Sequence, residues 1–292
     1  MTATPTMTRP GPNVARAQSR RRNRQPVEHT TLIVLTAFLL APFAWFVSVA
    51  FRPKDQLYQL LPSSLTLSNF TEMVDRVPDM VAYYTDSIII TFSAVVIIAV
   101  GSALAGFAFA RLSFPGRDVL LWMIVATIFI PHPTVVASLW VQLFEMELLD
   151  TRLGLTLVYA AWGFAIGTFI MRNVFKQIPI ELEQSARVDG ASSWQILWRI
   201  YIPLAMGGMV VVSMLSFVHI WGEYLFAFTF AGENVIPMSL GIQFFQPSGS
   251  DPTYTFNVAA AAGLVMFVPS LVIYIGFQRW FSRGTMEGAL KG

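Results

Sequence analysis

The sequence predicts an all-α polytopic membrane protein with six transmembrane helices and a helical cytoplasmic loop, which a family resemblance given below identifies as a coupling helix. Three observations support this prediction: an apolar composition, six long apolar runs and an uneven distribution of basic residues. Of the 292 residues, 55% are hydrophobic and only 12% are charged, whereas soluble domains carry about 25% charged residues. Because so few charges cannot cover a soluble surface, we expect the outer surface to face lipid.

The composition also limits the chemistry that the chain can perform. There is no cysteine, which excludes thiol catalysis, disulfides and thiolate metal sites. His29, His132 and His219 lie far apart and show no metal-ligand spacing. A net charge of +2 gives no reason to expect a nucleic-acid partner. We therefore predict no catalytic residue, no metal ligand and no enzyme.

The segment 1–29 is predicted to be a disordered basic tail on the anionic cytoplasmic leaflet, because it is rich in arginine and contains proline and glycine. A signal peptide cleaved after Ser48-Val49-Ala50 is an alternative. However, the apolar run that follows the basic tail is longer than the about 7–15 apolar residues of a signal peptide. An Arg-rich organelle transit peptide is a second alternative.

Six runs approach or exceed the roughly 20 apolar residues that cross the hydrocarbon. They cover residues 31–51, 87–110, 119–144, 153–171, 200–230 and 253–278. Glu223 is the only charged residue inside them. Their interior prolines are tolerable in a bundle, since neighbouring helices satisfy the freed backbone groups. The runs form a membrane domain over 30–284, and 285–292 is predicted to be a cytoplasmic tail.

The basic residues give the runs a direction. If the N-terminal tail is cytoplasmic, 15 of the 19 Lys and Arg residues lie in cytoplasmic segments. The other four are Arg52, Lys54, Arg76 and Arg152. This split follows the positive-inside rule and predicts that both termini are cytoplasmic. In the first external loop, Ser68 is predicted to be the N-cap of a short helix.

The internal loop 176–203 predicts two short helices with a break between them. Pro179 suits the first turn of the first helix, Glu181 and Glu183 suit its positive end, and Gly190 can end it in a left-handed conformation. Ser192 and Gln195 match a capping box for the second helix. One face of that helix is predicted to be buried and consists of Trp194, Leu197, Trp198 and Tyr201.

A shaped helical loop between two spans has two interpretations. It can be a docking element for a cytoplasmic protein, or an amphipathic segment that lies on lipid. The residue pattern alone favours neither interpretation.

The same loop resembles the signature of ABC-importer permeases, which is Glu-Ala-Ala, three residues, Gly, nine residues and Ile-x-Leu-Pro. The spacing is kept, and the matching positions are Gln184, Ser185, Ala186, Gly190, Ile200, Ile202 and Pro203. Asp189 and Ala191 flank the glycine as in the family. Gln184 replaces the acidic residue that, by resemblance, contributes charge at the ATPase contact. Glu183 is a candidate to supply that charge instead.

Four further segments are similar to the carbohydrate branch of this family, the maltose-permease second-subunit type, so the resemblance covers nearly the whole chain. They are Phe51-Arg52-Pro53-Lys54, residues 107–117 with their Ala-Arg and Phe-Pro-Gly-Arg elements, Trp221-Gly222-Glu223-Tyr224, and the C-terminal residues 284–292. The resemblance implies import of a sugar or sugar derivative across a bacterial inner membrane. A polyol or glycerol-phosphate importer shares these motifs.

The resemblance implies three protein partners: a second homologous permease, a cytoplasmic ATPase dimer that receives the coupling loop 176–203, and an external solute-binding protein. The chain carries no Gly-x-x-x-x-Gly-Lys-Ser/Thr motif around Lys54, Lys176 or Lys291. We therefore expect no cofactor on this chain and assign ATP binding to the partner ATPase.

Polar and aromatic residues inside the spans are the candidates for the solute pathway. Glu223 can contact solute near the external mouth, or it can be a structural acid within the bundle. Gln142, Asn257 and Trp221 are further candidates, as are His132 and His219, although hydrogen bonds between helices are an alternative role for the polar ones. Tryptophans such as Trp162 can stack on a sugar or anchor at the interface.

Two other classes of function are alternatives to an importer permease. An intramembrane enzyme would need a serine paired with a histidine or a His-Glu-x-x-His motif, and the sequence indicates neither. A channel or scaffold without energy coupling remains an alternative, and it predicts that changes at Asp189 or Gly190 leave transport intact.

Overall fold

The computed structural model describes residues 12–57, 59, 62–245 and 256–289, and this part of the chain is helical with no β-strand. The prediction of an all-α membrane protein is confirmed. Four helices are long and apolar enough to cross a membrane without interruption. They are α1 (Pro12–Ala50, apolar over His29–Ala50), α3 (Met80–Arg111), α6 (Arg152–Gln177) and α13 (Phe256–Ala289, apolar over Phe256–Gln278).

The third and fifth predicted spans are bent pairs of helices. In the third, α4 (Arg117–Ala126) and a 3₁₀ turn meet α5 (His132–Glu145) at 104°. Pro131, which has no N–H, is the N-cap of α5 in an extended conformation, so the helix cannot continue through it. In the fifth, Ser193–Leu204 meets α10 (Met206–Trp221) at 73°. The described residues therefore contain four helices that could each span a membrane, or up to six candidate spans if each bent pair is one span.

The run 200–230 was predicted as one span, and this is wrong in its last third. Helix α10 ends at Trp221, and a separate helix α11 (Leu225–Phe230) begins after residues 222–224. Its first N–H groups are capped by the Glu223 side chain instead of by a preceding helical turn. A further short helix, α12 (Met238–Gly241), follows in the loop after α11.

The two tails also differ from the prediction where the structure describes them. Helix α1 begins at Pro12, so residues 12–29 are helical and not disordered, and residues 1–11 lie outside the described part. Helix α13 likewise continues to Ala289, into the predicted tail. Propagating an existing helix costs much less than nucleating one, so each apolar span extends helical structure into its flank.

Helices α3 and α6 form the centre of the bundle. A Cβ atom at Gly106 of α3 would lie 2.7 Å from the Cβ of Met171 in α6, and one at Gly167 would lie 2.9 Å from that of Ser102. Small residues at these crossings let the two backbones approach closely. Of the most apolar stretch of α6, 50% is buried within the chain, whereas only 6% of the corresponding stretch of α1 is buried.

Two asparagine side chains clamp the C-terminal end of α1. Asn69 Nδ2, from α2 (Ser68–Arg76), donates to the carbonyl oxygens of Ala50 at 2.9 Å and Arg52 at 2.8 Å. Asn257 Nδ2, from α13, donates to Val49 at 3.3 Å and Arg52 at 3.0 Å. These bonds satisfy helix-end carbonyls that have no partner within the helix.

The N-cap predicted for α2 is wrong by one residue. Leu67 is the N-cap, and Ser68 is the first helical residue. The Ser68 N–H bonds to the Thr66 hydroxyl instead, which turns the chain into the helix. Helix boundaries of this kind depend on local competition between neighbouring hydroxyl groups.

Replacing Asn257 by alanine is expected to lower the free energy of unfolding by about 1–3 kcal/mol, because the buried carbonyls of Val49 and Arg52 lose a donor. Thermal unfolding of the purified chain in detergent measures this effect. Gln142→Ala is the control, since Gln142 is exposed on α5 and its amide makes no side-chain hydrogen bond within the described residues. Equal midpoints for the two variants would contradict a clamping role for Asn257.

Two carboxylates hold the loop after α11 against the N-terminal ends of α3 and α6. Asp86, which is buried, accepts from the N–H of Ile236 at 3.0 Å. Asp150 accepts from the N–H groups of Asn234 and Val235, both at 3.0 Å. Partial burial opposes ionisation of Asp150, but these donors outweigh it and hold its pKa below the usual value.

Candidate functional site

The first helix of the coupling loop, α7 (Ile180–Val188), ends in a Schellman motif. Gly190 has φ +81°, its N–H donates to Arg187 O at 3.0 Å, and the N–H of Ala191 donates to Ala186 O at 2.9 Å. The predicted left-handed ending at Gly190 is confirmed. Pro179 is the N-cap of α7, one position before the first turn in which it was predicted.

The second helix, α8 (Ser193–Ile196), begins with the predicted capping box. Gln195 N–H donates to Ser192 Oγ at 3.3 Å, and Ser192 N–H donates to Gln195 Oε1 at 2.8 Å. A π-helical turn, Leu197–Tyr201, and the short helix α9 (Ile202–Leu204) lead into α10. The break between α7 and α8 therefore has one defined shape, fixed by local hydrogen bonds.

The predicted buried face of the second helix is only half right. Leu197 and Tyr201 are buried, but Trp194 and Trp198 are exposed and meet edge to face with ring centroids 5.5 Å apart. The π-helical turn changes the spacing from that of an α-helix, so residues that would share one face in a regular helix separate. Both tryptophans are free to contact lipid or protein.

Glu183 is buried, with 5% of its surface exposed, although it lies on a helix that is largely exposed. Its carboxylate accepts from Tyr201 Oη at 2.7 Å and from Arg187 Nη2 at 2.7 Å. The carboxylate therefore joins α7 to the π-helical turn. The hypothesis that Glu183 supplies surface charge in place of Gln184 is wrong, because its oxygens are turned inward.

The outer surface of the coupling loop is formed by residues between Glu181 and Gly190. Gln184, Ser185 and Asp189 are exposed, and Val188 is 87% exposed. Of the other predicted positions, Ala186, Ala191 and Ile200 are half-buried and Pro203 is exposed. This surface is mainly polar with two exposed apolar residues, Leu182 and Val188, and the fixed hydrogen bonds beneath it resist rearrangement.

The structure does not bring the four candidates for the solute pathway together. Asn257 clamps α1, as described above. Trp221 is buried and donates from Nε1 to Met266 O at 2.9 Å, which joins α10 to α13. Gln142 is exposed on α5. Asn257 and Trp221 therefore tie helices together inside the bundle.

Glu223 occupies the break between α10 and α11. Its carboxylate accepts from the N–H groups of Phe226 at 3.0 Å and Ala227 at 3.3 Å, and from Tyr159 Oη at 2.8 Å. These contacts cap α11 and join it to α6. The geometry favours the structural alternative for this acid over direct contact with solute.

Comparison with known proteins identifies the family of this chain. Residues 97–287 match the family described as "Binding-protein-dependent transport system inner membrane component". The chain belongs to this family. The trehalose transport system permease protein SugB of Mycobacterium tuberculosis is 30% identical over 90% of this chain and 95% of its own length. A "Probable ABC transporter permease protein" of Pyrococcus horikoshii is 30% identical over 86% of this chain and 92% of its own length.

The fold of this permease is also similar to that of a solved structure. A bacterial ABC transporter that imports the acidic polysaccharide alginate matches with a TM-score of 0.78 and 22% identity, over 95% of this chain and 100% of that one. The resemblance drawn from the coupling loop is thereby confirmed at the level of family and fold. The family is a transport component and not a class of enzyme.

Sequence reasoning missed the part played by Arg111 in this permease. Arg111, at the end of α3, donates from Nη2 to Phe175 O at 2.6 Å and to Ile178 O, and its guanidinium lies 5.0 Å from the centre of the Tyr201 ring. It therefore connects α3, the end of α6 and the π-helical turn. Its place in the quoted segment 107–117 was the available signal, but the partners are more than 60 residues away.

Replacing Glu223 by alanine is expected to destabilise this permease by about 1–3 kcal/mol, because α11 loses its cap and the Tyr159 hydroxyl loses its acceptor. Thermal unfolding in detergent measures the loss, and Glu223→Gln should be milder because it keeps an acceptor oxygen. Glu233→Ala, in the exposed loop after α11, is the control. A stable Glu223→Ala variant that has lost uptake would instead favour direct contact with solute.

Proposed function

We propose that this chain is one of two permease subunits of an importer that carries a sugar into a bacterial cell, driven by ATP hydrolysis in a partner ATPase. The observation that carries the proposal is the coupling loop, whose exposed surface is held on a rigid frame. A flexible connector would not transmit force. Here the frame joins α7 through Glu183 and Tyr201 to Arg111, and hence to two long spans.

The membrane arrangement follows from charge and length. If each bent pair is one crossing, the chain has six spans, and the positive-inside split then supports a cytoplasmic position for both termini and for the coupling loop. An ATPase dimer on that side can reach the exposed surface around Val188 and Asp189. The exposed Trp194 and Trp198 suit the membrane–water interface, where they would anchor the loop at a constant depth.

The other two protein partners follow from the family and from burial. The family is named for its dependence on a binding protein, so an external solute-binding protein delivers the solute. A second homologous permease is expected beside α1, whose apolar window is 6% buried within this chain. ATP binds to the ATPase, and this chain needs no cofactor of its own. Transport then proceeds by rocking of the two helix bundles around a site between them.

A sugar is the solute class that the relatives favour. One of the two similar permeases is named for trehalose, and the transporter of similar fold imports a polysaccharide. A polyol or a glycerol-phosphate is the second candidate, because importers of these solutes share the quoted motifs.

Reconstitution of the chain with its second permease, ATPase and binding protein in proteoliposomes tests this proposal. We expect ATP hydrolysis to rise when the binding protein is loaded with a sugar, and uptake of that sugar to require ATP. A thermal-shift screen of the binding protein against sugars, polyols and glycerol-phosphate names the solute. Equal uptake with and without ATP would support an uncoupled channel and overturn the proposal.

A further inference from the structure

Two cavities in the membrane-spanning part of the chain share one wall. The first has a volume of about 270 Å³ and lies between α6, α10 and the bent third span. The second has a volume of about 210 Å³ and lies between α5, α6 and α11. His132 and Trp162 line both cavities. Tyr159, Ser216 and His219 add polar groups to the first.

The shared wall is the centre of an aromatic cluster. The ring centroids of His132 and Trp162 are 3.8 Å apart, and that of His219 is 5.6 Å from Trp162 with an angle of 30° between the two ring planes. Phe226 lies 5.8 Å from both His132 and Trp162. The cluster therefore presents flat ring faces and ring nitrogens to the same small volume.

The depth of the cluster fits a transport site. Trp162 lies roughly 15 Å along α6, about half the thickness of the hydrocarbon. His132 follows the break at Pro131, and Phe226 follows the break after α10. Transporters place their solute sites near the bilayer midplane beside interrupted helices, because the interruption exposes groups that a continuous helix would cover.

The ring nitrogens of the cluster are not used by the fold. Within the described residues, neither imidazole nor the Trp162 indole N–H makes a hydrogen bond to another residue. Polar groups at this depth are costly unless they bond to something. Hydroxyl groups of a solute would satisfy them while its apolar ring face packs against an aromatic ring.

The lining of the two cavities favours uncharged solutes over anions. None of the residues that line either cavity is Lys, Arg, Asp or Glu. Arg152 and Arg172 lie towards the two ends of α6, away from the cluster. Tyr159, which lines the first cavity, donates to the carboxylate of Glu223 at 2.8 Å, and this negative charge repels an anion. A phosphate or uronate moved into this volume would therefore lose its hydration without gaining an ammonium or guanidinium partner, which is unfavourable.

We propose that His132, Trp162 and His219 form a solute subsite for one ring of an uncharged sugar, contributed by this subunit. The inference rests on the proposed function and narrows it to neutral carbohydrates. It distinguishes this chain from a glycerol-phosphate importer and from an importer of acidic polysaccharide.

The natural absence of cysteine allows a direct test. Ser216→Cys places a thiol in the first cavity, and Ser213→Cys places one in a separate apolar cavity between α3, α10 and α13. Each variant is assembled into the complete importer and treated with methyl methanethiosulfonate. A neutral disaccharide that stimulates ATP hydrolysis, chosen from trehalose and maltose, is then added with the binding protein and ATP. We expect it to slow labelling at position 216 at least fivefold and to leave position 213 unchanged.

Three other outcomes are decisive. If a sugar stimulates ATP hydrolysis and is taken up but does not slow labelling at position 216, the subsite is overturned and the proposed function stands. If an acidic disaccharide protects position 216 equally well, the restriction to neutral solutes is overturned. If no neutral sugar stimulates ATP hydrolysis while another solute does, the sugar assignment fails together with the subsite.

Uptake by tryptophan variants gives a second measurement that does not depend on labelling. Trp162→Ala is expected to reduce sugar uptake at least tenfold, and Trp162→Phe by less than threefold because a ring face remains. Trp140→Ala is the matched control, since Trp140 is exposed on α5 and stacks on Phe144 outside both cavities. Uptake by Trp162→Ala within twofold of the parent would overturn the subsite.

Discussion

Replacing Gly190 by proline is expected to reduce co-purification of the ATPase with the permease at least tenfold, while the permease still inserts in the membrane. Gly190 has φ +81°, which proline cannot adopt because its ring fixes φ near −65°. The substitution also removes the N–H that bonds to Arg187 O. The Schellman ending of α7 would be lost, and the exposed surface around Val188 would change its angle to α8.

Gly116 provides a matched control for this position. It has φ +77°, and a Cβ atom at either glycine would meet nothing within 4 Å. Arginine at either site therefore carries the same backbone strain, about 1–2 kcal/mol, without a steric clash. We expect Gly190→Arg to release the ATPase and Gly116→Arg to retain it. Equal release by both variants would show general destabilisation and contradict a docking role.

Replacing Glu183 by alanine is expected to lower the stimulation of ATP hydrolysis by solute-loaded binding protein at least fivefold. Alanine leaves the buried hydroxyl of Tyr201 without its acceptor and frees Arg187. An unsatisfied buried hydroxyl costs about 1–3 kcal/mol, enough to loosen α7 from the π-helical turn. Movements of the loop would then be absorbed locally and would not reach the long helices.

Tyr201→Phe separates this explanation from a direct contact between Glu183 and the ATPase. Tyr201 is fully buried, so a partner cannot touch it, and loss of its hydroxyl should reproduce the loss of coupling. The loss of stimulation in the double variant should be smaller than the sum of the losses in the two single variants, because both substitutions remove the same hydrogen bond between Tyr201 and Glu183. Glu181→Ala, which is exposed on the same helix, is the control. Normal coupling in Tyr201→Phe would contradict the transmission role.

The fold was predictable to the extent that it depends on hydropathy. A helix that crosses a bilayer needs apolar side chains over about 20 consecutive residues, so the long helices α3 and α6 can be recognised in the sequence. The bends at Pro131 and between Leu204 and Met206, and the break after Trp221, were less predictable. A proline inside a membrane helix continues it with a kink or ends it, depending on which neighbours satisfy the freed backbone groups.

The candidate site was predictable where its contacts are local. The Schellman ending at Gly190 and the capping box of Ser192 and Gln195 join residues within about five positions of each other, so their types and spacing are sufficient. The roles of Glu223 and Asn257 could not be derived in this way. An isolated polar residue in a span has the same sequence signature whether it binds solute or clamps a helix.

Hydropathy along the chain predicts a membrane bundle, the distribution of basic residues predicts its direction, and local residue spacing predicts the shape of the coupling loop. Three features became visible only in the folded chain: Glu183 faces inward to Tyr201, Arg111 joins three segments, and His132 and His219 meet at Trp162. The difference lies in the distance along the sequence over which each interaction acts. Hydropathy and capping act along the chain, whereas burial and long-range hydrogen bonds exist only after distant helices have packed.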